Sequence, residues 1–124
     1  MASIYDRIGG REAVAVAVDD FYERVRGDEL LASYFARRDM ARQKAHMRAF
    51  LATAIGGPAI YAGRDMGAAH AGLGVTSAAF DRVVKHLVAT LNALGVRSSI
   101  VMAIVTKLAP LRDQIVAEPG RAAA

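Results

Sequence analysis

Apolar side chains recur at a helical spacing through most of this chain, which places them on one face of each α-helix. Between Arg11 and Arg26 the apolar stripe alternates with charged residues, the pattern of an amphipathic helix that packs on a core. The strict alternation of polar and apolar residues that indicates a half-buried β-strand does not occur. The sequence therefore predicts an all-α fold.

Helix boundaries follow from capping residues and helix breakers. Asp28 is placed to cap a short helix through Tyr34. A longer helix is predicted over residues 40–55, because two glycines and a proline end it at Gly56, Gly57 and Pro58. The glycine-rich stretch from there to Val75 is long for an ordinary connection, and loops of that length are usually functional or disordered.

The C-terminal half predicts two further helices. Thr76 precedes the first of them, and Ser77, Ser98 and Ser99 also have the character of helix caps. Within the last helix, Pro110 lacks a backbone N–H and predicts a kink.

The size and composition of the chain fit one folded unit. It has 124 residues, of which 54% are apolar or aromatic and 23% are charged, enough to bury a single core. We expect residues 1–118 to form this domain and residues 119–124 to be a flexible C-terminal tail. Cysteine is absent, which excludes disulfides, thiolate catalysis and Cys-ligated metal centres, so any metal ligand must be sought among the histidines.

No targeting or membrane segment is visible in the sequence. The N-terminal stretch MASIYDRIGG lacks the basic and apolar regions of a secretory signal. The longest uncharged stretch, AFLATAIGGPAIYAG, is broken by glycine and proline and is too short to span a bilayer. We therefore expect a cytoplasmic protein with no membrane span.

The net charge of +4 is concentrated in one segment. Five basic side chains there face a single acidic one, Asp39; they are Arg37, Arg38, Arg42, Lys44 and Arg48. This segment could dock an anion, or it could be a solvated helix face, and charge alone leaves both alternatives open. Asp19 and Asp20 are expected on a solvated face of the first long helix.

The helix over residues 40–55 carries an amide on its apolar face. The face combines Met40, Gln43, Met47, Phe50, Leu51 and Ala54. A buried amide without a partner costs about 1 to 3 kcal/mol, so an inward Gln43 requires a polar group inside the fold. His46 lies at the margin of this face and could turn either way.

The other two histidines differ in their surroundings. His70, in MGAAHAGLGV, is flanked by residues so small that a large flat group could approach its imidazole, although a solvated loop histidine is the alternative. His86 lies on a helix and is expected at the surface, without a chemical role. Hydrolase, kinase and phosphate-loop motifs are not found.

Several motifs taken together resemble the truncated haemoglobins, specifically their group I. They are SIYDRIGGREAV, DDFYERV, SYFARRDM, AFLATAIGGPAIYAGRDM, MGAAHAGLGV and LAPL, and the resemblance runs from about Ile4 to Val116. It implies a two-over-two helical sandwich, in which the helices starting near Arg11 and Met40 pack across those starting near Thr76 and Ser98. It also implies haem b. Some relatives link haem covalently through a C-terminal histidine, which LRDQIVAEPGRAAA lacks, so we expect non-covalent attachment.

The resemblance implies a role for individual residues. His70 matches the proximal iron ligand, and Tyr22 and Gln43 match the pair that stabilises a bound ligand. His46 matches a position where some relatives carry a second axial ligand to the metal, with a propionate or solvent contact as the alternative. Met47 replaces a polar residue often found beside this pair, so we expect a smaller donor network than in those relatives.

The haem itself would be enclosed by a wider set of side chains. The residues expected around the disc are Phe35, Met40, Met47, Phe50, Met66, Leu73, Val75, Phe80 and Leu87. The candidates for the propionates are Arg42, Lys44, Tyr61 and Arg64. The gas tunnels of the family would pass Ala17, Val18, Leu51, Ala54, Ile55 and Leu108, for which ordinary core packing is the alternative.

The function implied by the resemblance is binding of O2, NO and CO, with conversion of NO to nitrate as the reaction and an unidentified reductase as partner. Oxygen storage, transport or sensing is an alternative, and so is electron transfer by a bis-histidyl haem. An alternative from another class is a haem-free helical module that docks the basic segment on an acidic partner. We expect a monomer or weak dimer that does not bind nucleic acid.

Overall fold

The computed structural model describes residues 3–36, 39–57 and 74–116, and the regular structure within these ranges is helical. Four longer helices dominate: α2 (Gly10–Arg26), α4 (Met40–Ala54), α5 (Ser77–Ala93) and α6 (Ser98–Leu108). The short ones are α1 (Ile4–Ile8), α3 (Glu29–Phe35) and α7 (Arg112–Ile115), with a 3-10 turn at Ala109–Leu111. The all-α prediction is confirmed.

Side-chain caps begin four of these helices, and at α1 the Ser3 hydroxyl accepts a hydrogen bond from the Asp6 N–H. The Asp28 carboxylate accepts a hydrogen bond from the Leu30 N–H at 2.9 Å, and Thr76 accepts one from the Ala79 N–H at 3.0 Å, as the sequence predicted. Asp39 begins α4 in the same way. Each of these bonds satisfies a backbone donor that has no partner within the helix.

The prediction that the three serines are caps is wrong. Ser77 lies inside α5, because Thr76 already caps that helix, and the Ser77 hydroxyl accepts a hydrogen bond from Arg112. The N-cap position of α6 is Arg97, without a side-chain bond, and Ser98 and Ser99 lie exposed within the first turn. The predicted kink is confirmed, because α6 ends at Leu108 and the chain tightens into the 3-10 turn around Pro110.

Helix α2 is the centre of the fold. It contacts α1, α3, α4 and α5, while α5 also contacts α6. Its stripe of inward side chains is buried, the least exposed being Val25, Val18 and Tyr22. The two helices that cover α2, α4 and α5, do not pack closely on each other over the described residues. Burial of apolar surface on α2 therefore holds the two layers together.

Helix α1 was not predicted from the sequence. It is only 5 residues long and buries no residue completely, so it has no apolar period to detect. The Tyr5 N–H donates to the Ile55 carbonyl at 3.1 Å, and the Tyr5 ring lies against the backbone of Gly57. These contacts join the start of the chain to the end of α4.

The Tyr5 contact predicts that Gly57 tolerates no side chain. A Cβ added at Gly57 would lie 2.5 Å from Cδ1 of the Tyr5 ring, far inside contact distance. We expect Gly57→Ala to lower the free energy of unfolding by about 1 to 3 kcal/mol through overpacking, as measured by urea unfolding.

Gly27→Ala is the matched control for this substitution. Gly27 has a right-handed φ of −82°, and a Cβ there would meet no atom closer than 3.5 Å. It should therefore be neutral, or stabilise by up to about 1 kcal/mol. Equal effects of the two substitutions would contradict the assigned Tyr5 contact.

Polar side chains connect the helices across their interfaces. Asp20 accepts hydrogen bonds from Thr90 on α5 and from Arg24, both at 2.7 Å, and the Thr90 residue is fully buried. The Asp20 side chain is still 35% exposed, as expected for a solvated face, and its carboxylate also binds a hydroxyl on another helix. Asp19 remains mostly exposed and pairs with Lys44 on α4 at 3.3 Å.

The corner between α2 and α3 contains a buried carboxylate. Asp28 Oδ2 lies 2.7 Å from Arg82 Nε and 2.7 Å from His86 Nε2, both on α5. The Asp28 side chain is 5% exposed and that of His86 20%. His86 therefore lies at the edge of its helix, partly exposed, and its imidazole helps to hold this corner. Hydrogen bonds from Arg82 and His86 hold the pKa of Asp28 well below its ordinary value.

This depressed pKa predicts how acid affects stability. Because the folded state holds Asp28 as a carboxylate more strongly than the unfolded state does, its contribution is fully present above the unfolded pKa of about 4 and is lost as pH falls below it. Asp28→Asn removes the contribution. We expect the difference in free energy of unfolding between the natural protein and Asp28→Asn to shrink steadily from pH 5 to pH 2. A difference that is constant over this range would show that the carboxylate charge is not involved.

Two further expectations concern the C-terminus and the membrane. The predicted C-terminal tail, residues 119–124, lies outside the described residues, as does the end of the predicted domain beyond Val116. Over the described ranges, no helix has both the length and the apolar character needed to cross a membrane.

Candidate functional site

Tyr22 and Gln43 meet where α2 and α4 pack together. The Gln43 Nε2 amide donates to the Tyr22 hydroxyl oxygen over 3.2 Å. Tyr22 is 1% exposed, whereas Gln43 is only half-buried. The sequence required a polar partner for an inward Gln43, and the phenol of Tyr22 is that partner.

The Tyr22 ring is held on two further sides by aromatic edges. Its centroid lies 5.0 Å from that of Phe21, with the planes at 69°, and 5.7 Å from that of Phe35, at 77°. Both arrangements are edge-to-face, which the ring quadrupoles favour. Phe21 belongs to α2 itself and Phe35 to the end of α3, so three helices fix the phenol.

Burial determines the protonation of this phenol. Desolvation raises the pKa of Tyr22, and the hydrogen bond from Gln43 only partly opposes that shift. The group is therefore a neutral phenol at neutral pH. Its oxygen accepts from Gln43, so its own hydrogen stays available to donate, and the described residues provide no recorded acceptor for it.

Large apolar side chains around this pair remain incompletely buried. Four of them pack on the core yet keep part of their surface open: Phe35, Met40, Met47 and Leu87. Phe50 is also half-buried. Leu, Phe and Met are among the residues most often buried fully, and α4 and α5 do not pack closely on each other over the described residues.

These residues fit a flat apolar group that lies against one buried hydrogen-bond donor. Haem has this character, because it is a mostly apolar disc with carboxylates at one edge. The fit rests on two observations, the open apolar rim and the Tyr22 hydrogen that has no protein acceptor in the described ranges. Apart from Leu87 on α5, the residues involved lie on α2, α3 and α4.

The basic residues of α4 differ in how far they are buried and in whether they pair with an acidic residue. Lys44 is mostly buried and paired with Asp19, while Arg42 and His46 are exposed. The sequence could not show the Lys44 pair, because the two residues lie 25 positions apart. His46 follows Gln43 by three residues on the same helix, so it lies about 60° around the axis from the inward amide.

The remaining predicted site residues divide into two groups. Val75 and Phe80 are buried, and the Phe80 ring lies under the Arg112 guanidinium, whose carbon is 5.3 Å from the ring centroid. The others lie outside the described residues: Tyr61, Arg64, Met66, His70 and Leu73. The proposed proximal ligand belongs to this second group.

A separate cleft of about 360 Å³ lies between the α1–α2 corner and the α5–α6 turn. Its lining includes Ile8, Val16, Leu91 and Val96. Of the residues predicted to line a gas tunnel, Ala17 borders this cleft, whereas Val18, Leu51 and Ile55 belong to the packed core.

Sequence reasoning missed two contributors to the site. Phe21 holds the Tyr22 ring from within the same helix, and its place on the buried stripe was the only signal for it. The second contributor is the pair of α5 residues that bind Asp28. Arg82 and His86 are four residues apart and so share one helix face, a spacing that could have indicated a common partner.

Comparison with known proteins relates this arrangement to a family. The family profile described as "Bacterial-like globin" matches residues 3–117. The group 1 truncated hemoglobin GlbN of Mycolicibacterium paratuberculosis is 46% identical over 114 residues, which are 92% of this chain and 84% of that protein. The protein of the same name from Synechocystis sp. is 44% identical over 105 residues, which are 82% of this chain and 85% of that protein.

Solved structures agree with the sequence relatives. The truncated hemoglobin from Tetrahymena pyriformis, in its Fe(III) form, has a TM-score of 0.91 and 32% identity over 94% of this chain and 100% of that one. The 2/2 hemoglobin from Synechococcus sp., cyanomet and with covalently attached heme, has a TM-score of 0.88 and 36% identity over 93% of this chain and 98% of that one. These likenesses confirm the two-over-two helical sandwich.

Proposed function

The chain belongs to the bacterial-like globin family, with group 1 truncated haemoglobins as its relatives, and on that premise we propose that it binds O2, NO and CO at a haem iron ligated by His70. Membership of a globin family implies haem-based ligand binding. The proposal goes further by naming the proximal ligand, the donors that hold the gas and the reaction. The alternative of a haem-free helical module has no support from this family.

The observation that carries the proposal is the bond between Gln43 and the buried Tyr22 hydroxyl. A phenol that is 1% exposed and has a raised pKa stays protonated, so it can donate to a polar ligand atom. Gln43 restricts the rotation of that hydroxyl by occupying one of its lone pairs. Tyr22 would then slow the release of a gas whose outer atom carries partial negative charge.

For the reaction, we propose that the site converts NO to nitrate. Haem, when bound, supplies the coordination position for the gas and the one electron that NO and O2 together need to become nitrate. Tyr22 and Gln43 orient the held O2 and exclude water from it, and the nitrate leaves with all three oxygen atoms accounted for. A reductase partner must then return the electron. Oxygen storage, transport or sensing needs the same donors without this turnover.

The cofactor would be haem b held without a covalent bond. The half-buried side chains Phe35, Met40, Met47, Phe50 and Leu87 would cover the disc, together with Met66, Leu73, Val75 and Phe80. Arg42, Lys44, Tyr61 and Arg64 would face the propionates. Lys44 can do so only by leaving Asp19, to which it is bound in the described conformation.

His46 is proposed as a second axial ligand of a closed form. Its exposed position on α4 requires the side chain, or the helix, to turn inward before it can reach the iron. A closed form of this kind lowers the apparent affinity for gases by the fraction of protein that is open. It would also suit electron transfer without turnover.

The haem proposal predicts defined absorption spectra. Protein mixed with hemin should develop an intense Soret band, and His70→Ala should weaken or shift it because the axial imidazole is lost. His86→Gln is the matched histidine control and should keep the band. Absence of a Soret band in the natural protein would refute haem binding. For His46, low-spin bands in the unliganded ferrous protein should disappear in His46→Ala, and their persistence there would refute the second ligand.

The ligand donors predict how fast O2 is released and what NO yields. Tyr22→Phe should raise the O2 dissociation rate about tenfold, the effect of one hydrogen bond of about 1.4 kcal/mol, measured by stopped-flow with CO replacement. Tyr5→Phe, which removes a phenol hydroxyl on α1, should change nothing. With NO, the oxygenated protein should turn ferric rapidly and yield one nitrate per O2. Slow decay or no nitrate would favour storage, transport or sensing instead.

A further inference from the structure

Both oxygens of the Asp28 carboxylate accept hydrogen bonds at the corner of α2 and α3. Oδ1 accepts from the Leu30 N–H at 2.9 Å, and Oδ2 lies 2.7 Å from Arg82 and from His86. An ionised carboxylate can only accept, so His86 must donate its Nε2 hydrogen. One hydrogen bond from the Arg82 guanidinium and one from the His86 imidazole thus join α5 to Asp28, the residue immediately before α3.

Helix α3 depends on such ties for its orientation. It has 7 residues, far fewer than a helix needs to be stable alone in water. Asp28 holds its start, Leu31 is buried in the core, and the Tyr34 hydroxyl donates to the Gly74 carbonyl at 3.2 Å. Loss of the attachment at Asp28 would leave the start of α3 free to shift against α5.

The other end of α3 touches the ligand donor. Phe35 is its last residue, and its ring meets the Tyr22 ring edge-to-face at 5.7 Å. Phe21 on α2 and Gln43 on α4 also contact Tyr22. The position of Phe35 against Tyr22 therefore depends on α3. The position of α3 depends in part on the contacts of Asp28 with Arg82 and His86.

We propose that Asp28, Arg82 and His86 form a positioning cluster that, through α3 and Phe35, holds the Tyr22 hydroxyl in the orientation that donates to the bound gas. This inference rests on the proposed role of Tyr22. None of the three residues touches the gas. Their effect on ligand release must therefore pass through Tyr22, which distinguishes the cluster from a tie that only stabilises the fold.

A mutant cycle on the haem-loaded full chain tests this dependence. His86→Ala and Arg82→Ala should each raise the O2 dissociation rate about threefold, within the range of coupling between residues of one network. In each variant, the C–O stretching band of the ferrous carbon monoxide form should move to higher frequency, because the ligand loses donation from Tyr22. His86→Gln, which retains an N–H donor, should restore the natural rate and band.

The same substitutions in the Tyr22→Phe background should cause no further change in rate or band. Asp81→Asn is the matched control, because Asp81 precedes Arg82 on α5 but pairs with Arg112 rather than with the α3 corner. It should leave both readings unchanged. Arg82 is half-exposed, so Arg82→Ala provides the test if His86→Ala fails to fold.

Each contrary result identifies what fails. If Tyr22→Phe changes the rate but Arg82→Ala and His86→Ala leave it unchanged, the positioning cluster is refuted and the proposed function stands. If the substitutions act equally with and without the Tyr22 hydroxyl, the cluster is only structural and the inference is likewise refuted. If Tyr22→Phe itself has no effect, the proposed donor role fails first, and the inference fails with it.

Discussion

Burial of helix α2 between α4 and α5 is the constraint on which the described structure depends. Neither covering helix packs closely on the other, so both rely on the apolar stripe of α2 for their position. Tyr22 lies within this stripe, yet it carries a hydroxyl that must be satisfied. The Gln43 bond satisfies it from α4 and so turns a packing interface into a site that fixes the direction of a donor.

Polar ties fix how the helices meet, in addition to the apolar burial that brings them together. Asp20 binds Thr90, and Asp28 binds Arg82 and His86, so two carboxylates near the ends of α2 both reach α5. Within the described residues, no buried side-chain nitrogen or oxygen lacks a hydrogen-bond partner. A shift of one helix along another would break these bonds, and an unpaired buried group costs about 1 to 3 kcal/mol. Register is therefore specified more strongly than apolar contact alone could achieve.

The sequence predicted the features that depend on one helix at a time. The apolar periodicity predicted the four long helices, and Asp28 and Thr76 predicted where two helices begin. The inward Gln43 predicted a polar partner inside the fold. It could not give the ties of Asp20, Lys44 or His86, because their partners lie 70, 25 and 58 residues away in the chain. A charged residue at the margin of a stripe is compatible with solvent or with a partner, and only the packing of a second helix decides between them. The proximal side of the site came from resemblance alone.

Helix α3 makes the two sides of the proposed haem site physically dependent on each other. Its Phe35 packs on the ligand donor Tyr22, while its Tyr34 binds the carbonyl of Gly74, four residues after His70 in the chain. Tyr34 and Phe35 are adjacent in α3, which is too short to be stable alone. The position of this helix therefore depends on both contacts. A displacement of the Gly74 backbone would shift Tyr34, and Phe35 is the next residue of the same helix. Gly74 and the Tyr22 ring are therefore linked through α3, and Asp28 is one of the residues that hold this helix.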